Sequence, residues 1–189
     1  TYVHKYDTTA DLKDGRVYLL NWPWHEEELE TQLPAKMKRD LCNKHVQFYT
    51  IDATKLANEI GLGNRVNTIL QAAFFELTKV IPLDVAVDAM KKGNYNSYFK
   101  KGGQEIVDKN NKAVDVGITG LVKIDIPASW ASAVDAPKVE ENVPGFIKDI
   151  VIPMDRQHGD ELPVSIFKKY NCFDGTWPLG TTEYSKRGV

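Results

Sequence analysis

The stretch from Arg16 to Ile51 constrains the fold more than any other part of this chain. Arg16-Val17-Tyr18-Leu19-Leu20 and Val46-Gln47-Phe48-Tyr49-Thr50-Ile51 are short runs rich in β-branched, aromatic and aliphatic residues, the composition of strands. Their separation is far too long for a hairpin turn and long enough for a crossover of roughly a dozen residues or more. A helix fills the gap. Glu26-Glu27-Glu28-Leu29-Glu30 places acids in a first turn, where the helix dipole favours them. Leu33, Met37 and Leu41 continue an apolar stripe, and Pro34 starts a fresh helical segment because its ring is not accommodated in a helix interior. A strand–helix–strand unit with a parallel pair follows, and with it an α/β layered architecture. The first strand is expected to be buried. Trp22 and Trp24 flank Pro23 at its end and are expected to pack over the sheet edge. Asp52 follows the second strand as a cap for the next helix.

Two helical patterns then meet at Gly61-Leu62-Gly63-Asn64-Arg65. Gly61 suits the left-handed conformation that ends a helix, and Asn64 is a good N-cap for the next one. Val66, Ile69, Leu70, Ala73, Phe74, Leu77 and Val80 recur at three-and-four spacing, one buried face. First-turn N–H groups without intrahelical acceptors, plus the charge of Arg65, make this corner suitable for a phosphate or carboxylate. The same residues also describe an ordinary tight helix-to-helix connection. They do not form a dinucleotide fingerprint, since Val66 stands in place of the third glycine and a helix precedes the loop.

Composition narrows the function classes. With 42% hydrophobic and 26% charged residues among 189, the chain is that of a globular protein with one good core. A net charge of −2 gives no global attraction to nucleic acid, and no apolar run approaches membrane-spanning length. Cys42 and Cys172 have no zinc or iron–sulfur spacing, and two lone cysteines favour a reducing, cytoplasmic setting. His4, His25, His45 and His158 share no helix face and adjoin no nucleophile motif. No catalytic residue and no metal ligand is therefore assigned. The opening at Thr1-Tyr2-Val3-His4 without an initiator Met leads us to expect a piece of a longer protein.

Further on, a helix from Pro82 to Met90 is expected to face inward with Val85, Ala86 and Ala89 and to end at Lys91-Lys92-Gly93-Asn94. Gly102-Gly103 precedes a longer helix carrying Ile106, Val107, Ala113, Val114, Gly117, Ile118 and Leu121, and Lys123-Ile124-Asp125-Ile126 is extended. Residues 128–144, rich in Ala, Ser, Val, Pro and Glu, read as a linker. After a short helix over 145–152 the remainder is turn-rich, and it is expected to lie along a larger surface without a core of its own.

Several blocks in one order resemble a known family: Leu19-Leu20-Asn21-Trp22-Pro23-Trp24, Leu33-Pro34-Ala35, Tyr49-Thr50-Ile51-Asp52-Ala53, Ile60 through Ile69, Gln71-Ala72-Ala73-Phe74-Phe75 and Pro127-Ala128-Ser129-Trp130. They look like pyruvate:ferredoxin (flavodoxin) oxidoreductase. The tail, with Gly159-Asp160-Glu161-Leu162-Pro163, Pro178-Leu179-Gly180 and Lys186-Arg187-Gly188-Val189, resembles that family's small Glu-Lys-Arg region, although Ser185 stands where its glutamate is expected.

The resemblance implies a partial three-layer α/β/α gamma-like domain with an extended, turn-rich C-terminal segment. It divides the chain into residues 1–127 of the gamma-like domain, a linker at 128–144 and a Glu-Lys-Arg segment at 145–189. It further implies a multidomain cytoplasmic enzyme, a homodimer, using thiamine diphosphate, Mg and [4Fe-4S] clusters located outside this piece. That enzyme passes electrons to ferredoxin or flavodoxin and acetyl groups to coenzyme A. The family's Gly-x-Arg-x-Asn corner falls on Gly63, Asn64, Arg65 and Asn67, which the resemblance makes the coenzyme A-contacting residues, with an upstream glycine-rich segment completing the site. The remaining domains of the parent are the implied partners, and neither nucleic acid nor membrane is among them. The competing expectation is a purely structural scaffold between domains or subunits, with no ligand of its own.

Overall fold

A computed structural model describes residues 2–23, 26–135, 142–171, 174–178 and 181–184. Along the chain run α1 (Tyr2–Lys5), β1 (Val17–Asn21), α2 (Leu29–Gln32), α3 (Ala35–Asn43), β2 (Gln47–Ile51), α4 (Ala53–Glu59), α5 (Asn67–Thr78), α6 (Leu83–Thr119), β3 (Val122–Ile124), α7 (Ile152–Asp155) and α8 (Val164–Lys169). Two compact units result, one spanning residues 11–133 and the other combining 1–10 with 134–189.

The larger unit is built on a sheet of order β1-β2-β3. β1 and β2 are parallel, in register from Val17 opposite Gln47 to Asn21 opposite Ile51, as the crossover requires. β3 adds an antiparallel strand, with Phe48 opposite Ile124. Period-two alternation puts Leu19 and Ile51 on one face and Phe48 on the other. Ile51 joins Ala53, Ala57, Ile69, Ala73 and Ala113 in one buried cluster, with Leu19 packed against it. Phe48 instead meets the Trp130 ring at 6.4 Å. Both faces of the sheet are therefore covered, and the α/β layering holds. β1 is half-buried, not buried, because it is an edge strand of the described sheet. Trp22 is buried at 4% exposure, whereas Trp24 lies outside the described residues.

Part of the expected linker carries regular structure. Residues Ala128–Ser132 form a 3₁₀ turn in which Trp130 is 2% exposed. Its indole N–H donates to the Glu30 carboxylate, which also accepts from Lys38 Nζ at 3.1 Å. Arg39 donates to the carbonyl of Ala133. One large indole outweighs the small, polar neighbours that made this stretch read as a spacer, while residues 136–141 of the expected linker lie outside the described ones.

α6 departs furthest from expectation. Instead of ending near Asn94, helix continues to Gly103, whose φ of 68° and ψ of −166° break it. Lys91 Nζ meets Asp115 Oδ1 at 2.7 Å, and Asn94 Nδ2 donates to Asn111 Oδ1 at 3.1 Å. In a straight helix such pairs would lie about 25–36 Å apart, at 1.5 Å rise per residue. The element is a hairpin whose limbs, 83–102 and 104–119, fold back at Gly103. The second limb packs closely on α5: a Cβ on Gly117 would stand 2.4 Å from the Ile69 carbonyl oxygen. α5 accordingly buries Ile69, Ala72 and Ala73. Phe74 and Val80, expected inside, are 48% and 63% exposed, and Val80 falls beyond the left-handed Lys79 that terminates the helix.

The second unit does bury a small core, contrary to expectation. Phe146, Ile147, Ile150 and Val151 are buried, with Leu162, Ile166, Phe167 and Tyr170 packed against them. A π-type turn over Ile147–Val151 gathers the first four onto one side, a spacing that the 3.6-residue period does not reveal. α8, read from its prolines as turn, supplies Ile166 and Phe167, with Leu162 and Tyr170 flanking it. Asp149 Oδ2 accepts from Lys169 at 2.8 Å and Tyr170 at 2.6 Å.

Candidate functional site

The corner after α4 is a well-formed helix stop. Gly61 adopts φ 76°, the Gly61 N–H donates to Asn58 O at 3.0 Å, and the Leu62 N–H donates to Ala57 O at 2.8 Å. These are the paired bonds of a Schellman motif, completed by the apolar contact its geometry favours: Leu62, 7% exposed, shares a core cluster with Ala57. With Leu62 plugged into the core, the residues after it are driven outward.

Gly63 takes φ 59°, and a turn closed by Arg65 N–H to Leu62 O at 3.3 Å leads into α5. Gly63, Asn64, Arg65 and Asn67 are all exposed. Asn64 is not the N-cap. That position belongs to Val66, which offers no side-chain cap, and the Asn64 carbonyl instead accepts from the Val66 N–H at 3.1 Å. The loop is two residues longer than the expected cap allows, because Gly63 adds a second left-handed step. The consequence is chemical. The first-turn N–H groups of α5 have no side-chain acceptor, so its positive end remains uncapped.

Arg65 makes no side-chain hydrogen bond or ion pair among the described residues. Among the described residues its guanidinium neither caps nor braces the helix. Lys109 lies beside the same corner, its Cε 3.7 Å from where a Cβ on Gly61 would stand. Its Nζ contacts Glu105 Oε1 at 2.7 Å, and that hydrogen bond holds the Glu105 carboxyl below its usual range. Sequence reasoning missed Lys109, since nothing local to α6 signals that its stem crosses a glycine in another loop.

Among the described residues, no group of three or more His, Cys, Asp or Glu side chains could hold a metal. No helix among them is long and apolar enough to cross a membrane. His45 is tied to Asp14 at 2.9 Å and His158 to Glu161 at 2.9 Å, both on the surface, while His25 and Cys172 lie outside the described residues.

Comparison with known proteins identifies the family. Residues 1–120 match the family described as pyruvate ferredoxin/flavodoxin oxidoreductase. The chain belongs to this family. Residues 133–189 match the EKR domain, described as a domain of unknown function. The chain is 48% identical over 189 residues to a pyruvate-flavodoxin oxidoreductase of Enterobacter agglomerans and 46% identical over 191 residues to a pyruvate:ferredoxin oxidoreductase of Moorella thermoacetica. It is 40% identical over 217 residues to a pyruvate dehydrogenase [NADP(+)] of Cryptosporidium parvum. All of this chain is covered each time, but only 16%, 16% and 11% of those relatives. The chain thus spans about a sixth or less of the relatives it matches.

Proposed function

We propose that this chain is the part of a pyruvate:ferredoxin/flavodoxin oxidoreductase that contacts coenzyme A, through the corner at Gly63, Asn64, Arg65 and Asn67. The parent enzyme converts pyruvate and coenzyme A to acetyl-coenzyme A and CO2, and its two electrons leave on ferredoxin or flavodoxin. The observation that carries the coenzyme A reading is the exposed, unpaired Arg65 at the uncapped start of α5. Coenzyme A brings phosphate groups, and a guanidinium beside free helix N–H donors suits a phosphate oxygen. Asn64 and Asn67 supply neutral donors on either side of it.

A [4Fe-4S] cluster takes four cysteine thiolates, and the described residues include one cysteine, Cys42; thiamine diphosphate with Mg is assigned on the family resemblance. We place those groups in other parts of the parent and route no step through this chain. In this reading its work is binding and packing, within a cytoplasmic homodimer whose other domains carry the chemistry. The division into a gamma-like portion at 1–127, a connection at 128–144 and an EKR-type segment at 145–189 belongs to the same proposal.

Titration of coenzyme A into the parent enzyme carrying Arg65→Ala tests it. Losing one charge-assisted phosphate contact should weaken binding by about 1.5–3 kcal/mol, roughly 10- to 150-fold. Unchanged affinity would remove Arg65 from the site and leave the scaffold reading.

A further inference from the structure

β1 has the composition of an inner strand but stands at an edge. The Gln47 N–H donates to Arg16 O at 2.9 Å and the Trp22 N–H to Ile51 O at 2.8 Å. The register runs unbroken from Val17 opposite Gln47 to Asn21 opposite Ile51, so these two bonds fix the phase of the whole ladder. Successive residues of a strand in a parallel pair turn their backbone groups to opposite sides. Arg16, Tyr18, Leu20 and Trp22 turn theirs toward β2, and Val17, Leu19 and Asn21 turn theirs away. Among the described residues the backbone N–H and C=O groups of Val17, Leu19 and Asn21 have no hydrogen-bond partner. They line about 16 Å of strand, at roughly 3.3 Å per residue.

The opposite edge is guarded and this one is not. β3 has three residues and carries Lys123, and both shortness and a lysine discourage further pairing. β1 has five residues with no charge, no proline and no bulge. Its run Val17-Tyr18-Leu19-Leu20 does not alternate, and all four residues are half-buried. Leu19 packs on the cluster around Ile51 on one face, while the Tyr18 ring lies 6.1 Å from that of Phe48 on the other. Continuous apolar strands covered on both faces belong inside parallel sheets. β2 supplies one parallel neighbour, and the free edge has room for the second.

Strand direction decides what supplies it. A second copy meeting this edge through a two-fold axis would bring β1 against its own antiparallel image, whereas the composition calls for a parallel strand. Parallel neighbours are joined by crossovers within one polypeptide. The relatives carry roughly five-sixths of their length outside the region matched here.

We propose that the Val17–Leu19–Asn21 edge of β1 pairs with a parallel, apolar β-strand from another segment of the same parent polypeptide, which makes β1 an interior strand of a wider sheet. The proposal rests on the parent being the longer enzyme and is independent of coenzyme A binding.

Residue-resolved hydrogen exchange of the full-length parent tests it, because β1 contains its own reference in the Tyr18 and Leu20 amides, which face β2. Expected are Val17 and Leu19 amides protected to within about tenfold of that pair. At an open edge they exchange about a hundredfold faster or more, and such an alternation overturns the proposal. The second measurement is photo-cross-linking of the parent carrying Tyr18→p-benzoylphenylalanine, read on a denaturing gel and by peptide mapping. A link at monomer mass to a segment beyond these 189 residues supports the proposal. A product of twice the monomer mass assigns the edge to a second copy and overturns it, as does a link that maps only within the 189 residues.

Discussion

At Gly117 α6 lies close against α5, and replacing it with alanine should cost stability although alanine is the better helix former. The substitution gains about 1 kcal/mol of intrinsic propensity. Against this, the new Cβ would sit 2.4 Å from the Ile69 carbonyl oxygen and 2.9 Å from the Ala72 Cβ, where ordinary contact begins at 3.4 Å. Two rigid backbones must separate by about 1 Å, and a gap of that size forfeits a quarter to a half of each dispersion contact along the seam. Overpacking costs of about 1–3 kcal/mol are usual and this site falls at the upper end, for a net loss of about 2 kcal/mol. Gly93→Ala is the control. It lies in the same helical element with nothing within 4 Å of the added Cβ, so propensity acts alone and should stabilise by about 0.5–1 kcal/mol. Thermal melts of the 189-residue chain followed by helical circular dichroism should show Gly117→Ala falling by about 4–8 °C and Gly93→Ala rising by about 1–4 °C. Two variants that move the same way would refute the close α5–α6 crossing.

Trp130→Phe retains a ring against Phe48 but deletes the hydrogen bond to Glu30. Chemical denaturation should give a loss of about 1 kcal/mol. The Glu30 carboxyl is held below its ordinary value first by Trp130 and then by Lys38, so its contribution is complete above the ordinary carboxylate range and lost as pH falls through the lowered value; the variant should therefore show a shallower acid decline. In the second unit, Lys169 and then Tyr170 lower the Asp149 carboxyl, while Asp149 raises the Lys169 ammonium. The pair stabilises in full between the ordinary carboxylate and ammonium values, and the contribution is lost as pH falls through the lowered Asp149 value or rises through the raised Lys169 value. Asp149→Asn should flatten both limbs of a stability–pH curve read by Trp177 fluorescence, that ring lying 5.3 Å from Phe146; curves of unchanged shape would dissociate the pair from folding.

The sheet was legible because its signal is local. Two β-rich runs and the distance between them dictate a parallel pair, and Pro34 and Asp52 mark helix starts through their own chemistry: Pro34 precedes α3, and the Asp52 carboxylate accepts the Lys55 N–H at 2.9 Å. What failed was everything settled by distant partners. Lys91-Lys92-Gly93-Asn94 is a helix stop by propensity, yet Asp115 and Asn111 lie across the hairpin to receive Lys91 and Asn94, and the helix runs on. Trp130 sits among small residues that spell a spacer, while its partners Phe48 and Glu30 are distant in sequence.

The corner divides along the same line. The helix stop at Gly61 was readable because a left-handed glycine followed by an apolar plug is a pattern of adjacent residues. Asn64 misled for a related reason: a good capping side chain is a propensity, and the second left-handed glycine moved it out of the capping position. That displacement strengthens the ligand reading. An asparagine bonded to the N–H groups of α5 would have occupied the donors a phosphate requires, whereas an uncapped helix start leaves them available beside an unpaired arginine. The misplaced cap and the proposed anion site are therefore one feature of the backbone, set by Gly63.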